Sequence, residues 1–207
     1  AVVDKLNGES IAASALIADV TKQDDITAQI DDYEANKGLI DILINNAGMQ
    51  HRQPLERFDA EIFDRMIAVN LKAAFYTSKA LSTYMIARQH GRIINIASVM
   101  SLLARPGVAP YTATKGAIAN LTKGMAADWA GYGLNCNAIA PGYFKTELNA
   151  ALVADQKFTA WLEERTPAGR WGDVSDLVGT AVYLAAPASS FVNGQIIYVD
   201  GGLTATV

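Results

Sequence analysis

The stretch DILINNAG, residues 41–48, is a short run of aliphatic residues that stops abruptly in two amides, an alanine and a glycine. A continuous apolar run bounded by turn residues is what a strand buried on both faces of a parallel sheet looks like. The same pattern recurs on either side of it, in ALIADV (15–20), GRIINIAS (91–98), LNCNAIAPG (134–142) and QIIYVDGG (195–202). Between these runs lie stretches of helical character at 22–37, 59–88, 111–130 and 173–185, with an irregular segment at 143–171. Strands alternating with crossover helices predict an α/β fold, a doubly wound, mostly parallel sheet with helices on both faces. At 207 residues with no repeat, linker or low-complexity tract, 1–207 reads as a single domain.

Composition narrows the partners. Hydrophobic residues make up 51% and charged residues 18%, an apolar balance that a subunit interface would account for. The net charge of -4 and the scattered Lys and Arg leave no basic face for nucleic acid. No run of eighteen apolar residues suggests a membrane span, and the start does not resemble a signal peptide, so cytoplasmic residence is the expectation. The single cysteine, Cys136, excludes an internal disulfide and agrees with a reducing compartment. It lies too far from His51 and His90 in the sequence to suggest a zinc site, so no metal is expected.

In open parallel sheets, ligands bind beyond the carboxyl ends of the strands. Those ends are chemically distinctive here: Asn45, Asn46, Ala47 and Gly48 after one strand, Ser98 after the next, Pro141 and Gly142 after a third. Small residues let a flat ligand approach the backbone, and three such ends in one sheet favour a shared site over three unrelated turns. YTATK at 111–115 then sets Tyr111 and Lys115 one helical turn apart, after the helix-opening Pro110.

Taken together, NNAG (45–48), the asparagine of IAVN (Asn70), the serine of NIAS (Ser98), YTATK (111–115) and PGYFKT (141–146) resemble the short-chain dehydrogenase/reductase family in order and spacing. The resemblance spans nearly the whole chain. It implies a Rossmann-like fold and hydride transfer between NAD or NADP and a carbinol or carbonyl carbon. It also implies a catalytic set of Asn70, Ser98, Tyr111 and Lys115. Tyr111 would be the general acid and base. A free phenol titrates near pH 10, and the positive charge of Lys115 one turn away would favour its phenolate. Ser98 would hold the substrate oxygen within proton-transfer reach of Tyr111. Asn70 would help keep a water beside Lys115.

The resemblance further implies that Asp19 and Val20 contact the adenine, that Asn46, Ala47 and Gly48 pass the ribose, and that Pro141, Gly142 and Thr146 flank the nicotinamide. Tyr111 and Lys115 would also touch its ribose. One feature departs from the family: the strand, Gly-rich turn TGxxxGIG and helix that receive the pyrophosphate are absent from this sequence. The domain is therefore expected to be N-terminally incomplete, and the coenzyme preference cannot be read. The segment 143–171 matches the family's substrate lid, in which Phe158 and Trp161 would share a helical face. Beside the expected substrate mouth stand His51 and Arg52, and the planar fork of Arg52 suits a carboxylate. With the lid and the terminal FVNGQIIYVDGG, this places the chain nearest the family's sugar-acid members, with Arg52, Ser98 and Tyr111 holding the substrate. A member acting at the 3-hydroxyl of a 2-deoxy sugar acid, or a reductase of 3-oxoacyl chains borne on a carrier protein, is the alternative, and a scaffold without catalysis a remote one. The family also implies a homodimer or homotetramer.

Overall fold

A strand is complete only when a neighbour pairs with its backbone, and of the five apolar runs four find that neighbour. In the computed structural model, which describes residues 2–207, Ile42–Asn45 (β1), Gly91–Ile96 (β2), Leu134–Pro141 (β3) and Ile196–Val199 (β4) form one sheet. Its order is β1-β2-β3-β4 and every pairing is parallel. The helices are α1 (Val2–Gly8), α2 (Gln23–Asn36), α3 (Ala60–Ile67), α4 (Ala73–Ala87), α5 (Ala109–Trp129), α6 (Ala150–Ala154), α7 (Gln156–Arg165) and α8 (Ser175–Ala185). Among them, no helix is long and apolar enough to cross a membrane.

Alternation along β2 explains how one sheet serves two layers, because successive side chains point to opposite faces. Ile93 packs with Ile26 and Ile30 of α2, Leu81 and Met85 of α4 and Met125 of α5, whereas Ile94 packs with Ile139 and Leu184 of α8. Each such fully buried side chain contributes roughly 1.5–3 kcal/mol. Cys136 belongs to the first cluster, and burial pushes its thiol up to about 12, so it is an inert packing residue.

A polar crosslink sets the register where the site is delivered. Asn45 of β1 lies opposite Asn95 of β2, and its amide donates to Asn95 Oδ1 at 2.8 Å; Asn95 in turn donates to Thr122 Oγ1 of α5 at 2.9 Å. Slippage by one residue would break both bonds and exchange the two buried faces.

Two expectations need correction. Residues 15–20 form no strand: they pair with nothing in the sheet, and Ile17 is 82% exposed. Without a partner for its backbone groups, strand propensity alone cannot hold an extended segment in a ladder. The segment 143–171 is more regular than expected, since α6 and α7 lie within it. Asp155 caps α7, accepting from the backbone N–H groups of Lys157 and Phe158. The expected helical stretch 59–88 is continuous, with a π-helical turn at Ala68–Lys72 joining α3 to α4.

Candidate active site

Ser98 follows β2 by two residues, in extended backbone (φ -171, ψ 161), and its Oγ accepts the Met100 N–H at 3.1 Å. That bond uses a lone pair and leaves the hydroxyl proton available to a ligand. Tyr111 and Lys115 lie in the first turns of α5, where Pro110 suits a helix start because its missing N–H would have no partner there. Both are buried. Lys115 Nζ donates to the Ile96 carbonyl at 2.7 Å and lies 5.7 Å from the centre of the Tyr111 ring. Ser98, Tyr111 and Lys115 line one cavity of about 330 Å³, at the carboxyl ends of β1, β2 and β3.

Burial governs the electrostatics. It pushes the Lys115 ammonium down to about 8 and raises the Tyr111 phenol above its ordinary value. Ser98 and the Arg52 guanidinium pull the phenol the other way, without overcoming burial. Burial thus sets the direction for Tyr111, and the help expected from the Lys115 charge acts against it. Excluding water costs the phenolate more than its neighbours return.

Asn70 lies in the π-helical turn and is 2% exposed. Its Oδ1 accepts the Met49 N–H at 2.7 Å, and its Nδ2 donates to the Met49 carbonyl at 2.9 Å and to Thr114 Oγ1 at 3.1 Å. A π turn pushes one residue out of the helical repeat, and here that residue clamps the loop after β1. This is the arrangement of a satisfied buried amide.

Arg52, on the same loop, donates from Nη2 to Gln50 Oε1 at 2.9 Å and to Asn149 Oδ1 at 3.4 Å. Its Nε is buried with no partner. Partial burial, followed by the charge of Arg105, lowers its pKa. Arg52 lines the same cavity, so the structure brings together Arg52, Ser98, Tyr111 and Lys115.

The positions expected to meet a coenzyme divide in two. Asn46, Gly48, Pro141, Gly142 and Thr146 line the main cavity with Tyr111 and Lys115. Val20, Asn46 and Ala47 line an adjoining hollow of about 130 Å³ together with Asn70. Asp19 lines neither; its carboxylate accepts from the N–H and hydroxyl of Thr21, a local turn before α2. At Gly142 a Cβ would come 2.8 Å from Asp200 Cβ, so only glycine lets β3 and β4 close here. A backbone-lined slot beside Tyr111 and Lys115 suits a flat ring with its attached ribose, and the residues present fit the nicotinamide half of a dinucleotide.

Four polar lining residues escaped the sequence reading: Gln50, Arg105, Tyr143 and Asn149. Tyr143 directly follows the Pro141–Gly142 strand end, the same signal that marked Ser98. The other three come from loops or, for Asn149, a short 3-10 turn, whose course no local pattern discloses. Phe158 and Trp161 do not line the cavity; they pack edge-on or tilted around Tyr143, at 5.4 and 6.4 Å, and form a second layer behind it.

Comparison with known proteins agrees with this geometry. A family model described as enoyl-(acyl carrier protein) reductase matches residues 1–204. The chain is 55% identical over 199 residues to gluconate 5-dehydrogenase of Gluconobacter oxydans (strain 621H), covering 96% of this chain and 78% of that protein. It is 47% identical over 205 residues to 5-keto-D-gluconate 5-reductase of Escherichia coli (strain K12), covering 99% and 81%. Among solved structures it resembles a gluconate 5-dehydrogenase from Burkholderia cenocepacia J2315 in complex with NADP and tartrate, with a TM-score of 0.98 and 53% identity over 100% of this chain and 81% of that one.

Proposed function

The chain belongs to the short-chain dehydrogenase/reductase family of NAD(P)-dependent oxidoreductases, and we propose that it interconverts D-gluconate and 5-keto-D-gluconate. The observation that carries this reading is the convergence of Arg52 with Ser98, Tyr111 and Lys115 on one cavity. An acid-recognising group and a proton-transfer pair facing the same space call for a substrate with a carboxylate at one end and a carbinol further along. Gluconate is such a molecule, and relatives carrying that activity in their names share about half of this sequence. The Burkholderia relative holds tartrate, itself a hydroxy acid.

In oxidation, Tyr111 takes the proton of the C5 hydroxyl, and in reduction it returns that proton to the carbonyl oxygen. Ser98 donates its free hydroxyl proton to the same oxygen and holds it beside the phenol. The burial that raises the Tyr111 phenol keeps its proton in place before reduction. When bound, NAD or NADP supplies the two-electron hydride chemistry. Lys115, still largely protonated at neutral pH with its pKa near 8, lends the positive charge that favours phenolate during oxidation. Arg52 anchors the C1 carboxylate, and Asn70 holds the Met49 backbone from which the loop bearing Gln50 and Arg52 departs.

Exposed apolar residues support self-association into a homodimer or homotetramer: Phe75 of α4, Val178 and Val182 of α8, and Phe191 beyond it. We place the reaction in the cytoplasm, as expected for a chain with one buried free thiol.

The experiment is a coenzyme-absorbance screen of D-gluconate, 5-keto-D-gluconate and 2-deoxy-D-gluconate with NAD(H) and NADP(H). Turnover of gluconate and 5-ketogluconate supports the reading. Turnover of acyl thioesters with no sugar acid would overturn it, and a preference for 2-deoxygluconate would move the reaction to another hydroxyl.

A further inference from the structure

The cavity wall carries two guanidinium groups. Arg52 arrives on the loop after β1 and Arg105 on the loop between β2 and α5. With Lys115 they put three cationic side chains around one space, and no Asp or Glu lines it. Neither arginine forms an ion pair among the described residues. Arg52 uses Nη2 on two neutral side-chain oxygens while its Nε is buried without a partner. Arg105 lies over the Phe158 ring, its guanidinium carbon 5.0 Å from the ring centre, a cation–π contact that holds the head in place without using its N–H groups on an acceptor. Their charges interact, and Arg105 contributes to the lowered pKa of Arg52 after burial.

Holding like charges together around a cavity without a counter-charge costs free energy that only an anionic ligand returns. A packing role for Arg105 would account for the Phe158 contact, though not for a charged head set in the wall of the reacting cavity. We propose that Arg105 is a second carboxylate-recognising residue, and that Arg105 and Arg52 form a two-armed cradle selecting acids over neutral polyols. This rests on the sugar-acid reading above and deepens it. A second consequence follows from the charge count: a six-carbon dicarboxylate, which offers each arm its own anion, binds more tightly than the monocarboxylate.

Arg105→Met tests this, because methionine keeps an apolar stem for Phe158 while removing the charge. In the full-length enzyme, KM for D-gluconate should rise about ten- to hundredfold, as for a lost charged hydrogen bond, with kcat changed less than about threefold. KM for the uncharged hexitol D-glucitol should stay within about twofold, and Arg105→Lys should recover part of the loss. Calorimetry with D-glucarate needs no turnover: the wild type should bind it more tightly than D-gluconate, and Arg105→Met should lose that preference. An unchanged KM for gluconate, an equal loss for glucitol, or wild-type binding of glucarate no tighter than gluconate would overturn the proposal. If the wild type turned over no sugar acid, the proposed reaction would fail while the glucarate titrations still decided the cradle.

Discussion

The Lys115 ammonium lies 5.7 Å from the centre of the Tyr111 ring, and both groups are buried at the carboxyl end of β2. Water is excluded from each, so each resists its charged form. Lys115 is pushed down to about 8 and Tyr111 upward, with desolvation the leading cause in both. The charged form of Lys115 therefore carries a burial cost, whereas the phenol of Tyr111 avoids one by keeping its proton.

That cost should be visible in stability. The folded pKa of Lys115, about 8, lies below its ordinary value of 10.5, so between those pH values the unfolded chain binds the extra proton. Stability contributed at this site is present above about pH 10.5 and is lost as pH falls through 8. The full swing is about 3 kcal/mol as an upper bound, from roughly 1.4 kcal/mol per pKa unit. Without coenzyme, denaturant titrations across pH 7–10.5 should show the wild type gaining stability relative to Lys115→Met as pH rises above about 8. A difference independent of pH would contradict the burial assignment.

Arg52→Ala should raise KM for D-gluconate by roughly ten- to hundredfold, the equivalent of about 1.5–3 kcal/mol for a charged hydrogen bond. Arg52→Lys should restore only part of it, since a point charge lacks the bidentate fork. Steady-state kinetics reads both. An unchanged KM in Arg52→Ala would remove the anchoring role.

Asn70→Ala should lower stability by about 1–3 kcal/mol, because both backbone groups of Met49 lose a buried partner. Asn70→Asp should not rescue it: a carboxylate can accept from the Met49 N–H but cannot donate to its carbonyl. Thermal melts and KM for gluconate should move together, since the Met49 backbone leads into the loop bearing Arg52. Normal stability with a collapsed kcat would instead favour a direct part in proton movement.

The sheet and the meeting of Ser98, Tyr111 and Lys115 at its strand ends were legible because local chemistry determines them. Apolar runs ending in small or amide residues located four strand ends, and helical spacing put Tyr111 and Lys115 on one face. Residues 15–20 were misleading because pairing, which propensity does not report, decides whether such a run becomes a strand. Arg105, Gln50 and Asn149 were illegible for a related reason: the first two reach the cavity from loops and Asn149 from a short 3-10 turn, and the course of such segments depends on distant packing such as the Phe158 contact. The upward shift of Tyr111 was illegible because spacing reveals the neighbouring lysine but not the burial that leads the shift.

The central claim is that Tyr111 moves the proton in a sugar-acid redox reaction, and one measurement addresses it most directly. The rate of coenzyme reduction by D-gluconate, and of its oxidation by 5-keto-D-gluconate, should be compared between wild type and Tyr111→Phe. Loss of a positioned acid and base is predicted to lower kcat by about 10²–10⁴-fold in both directions, with an unchanged melting profile. A Tyr111→Phe enzyme that keeps wild-type kcat on these substrates would contradict the account.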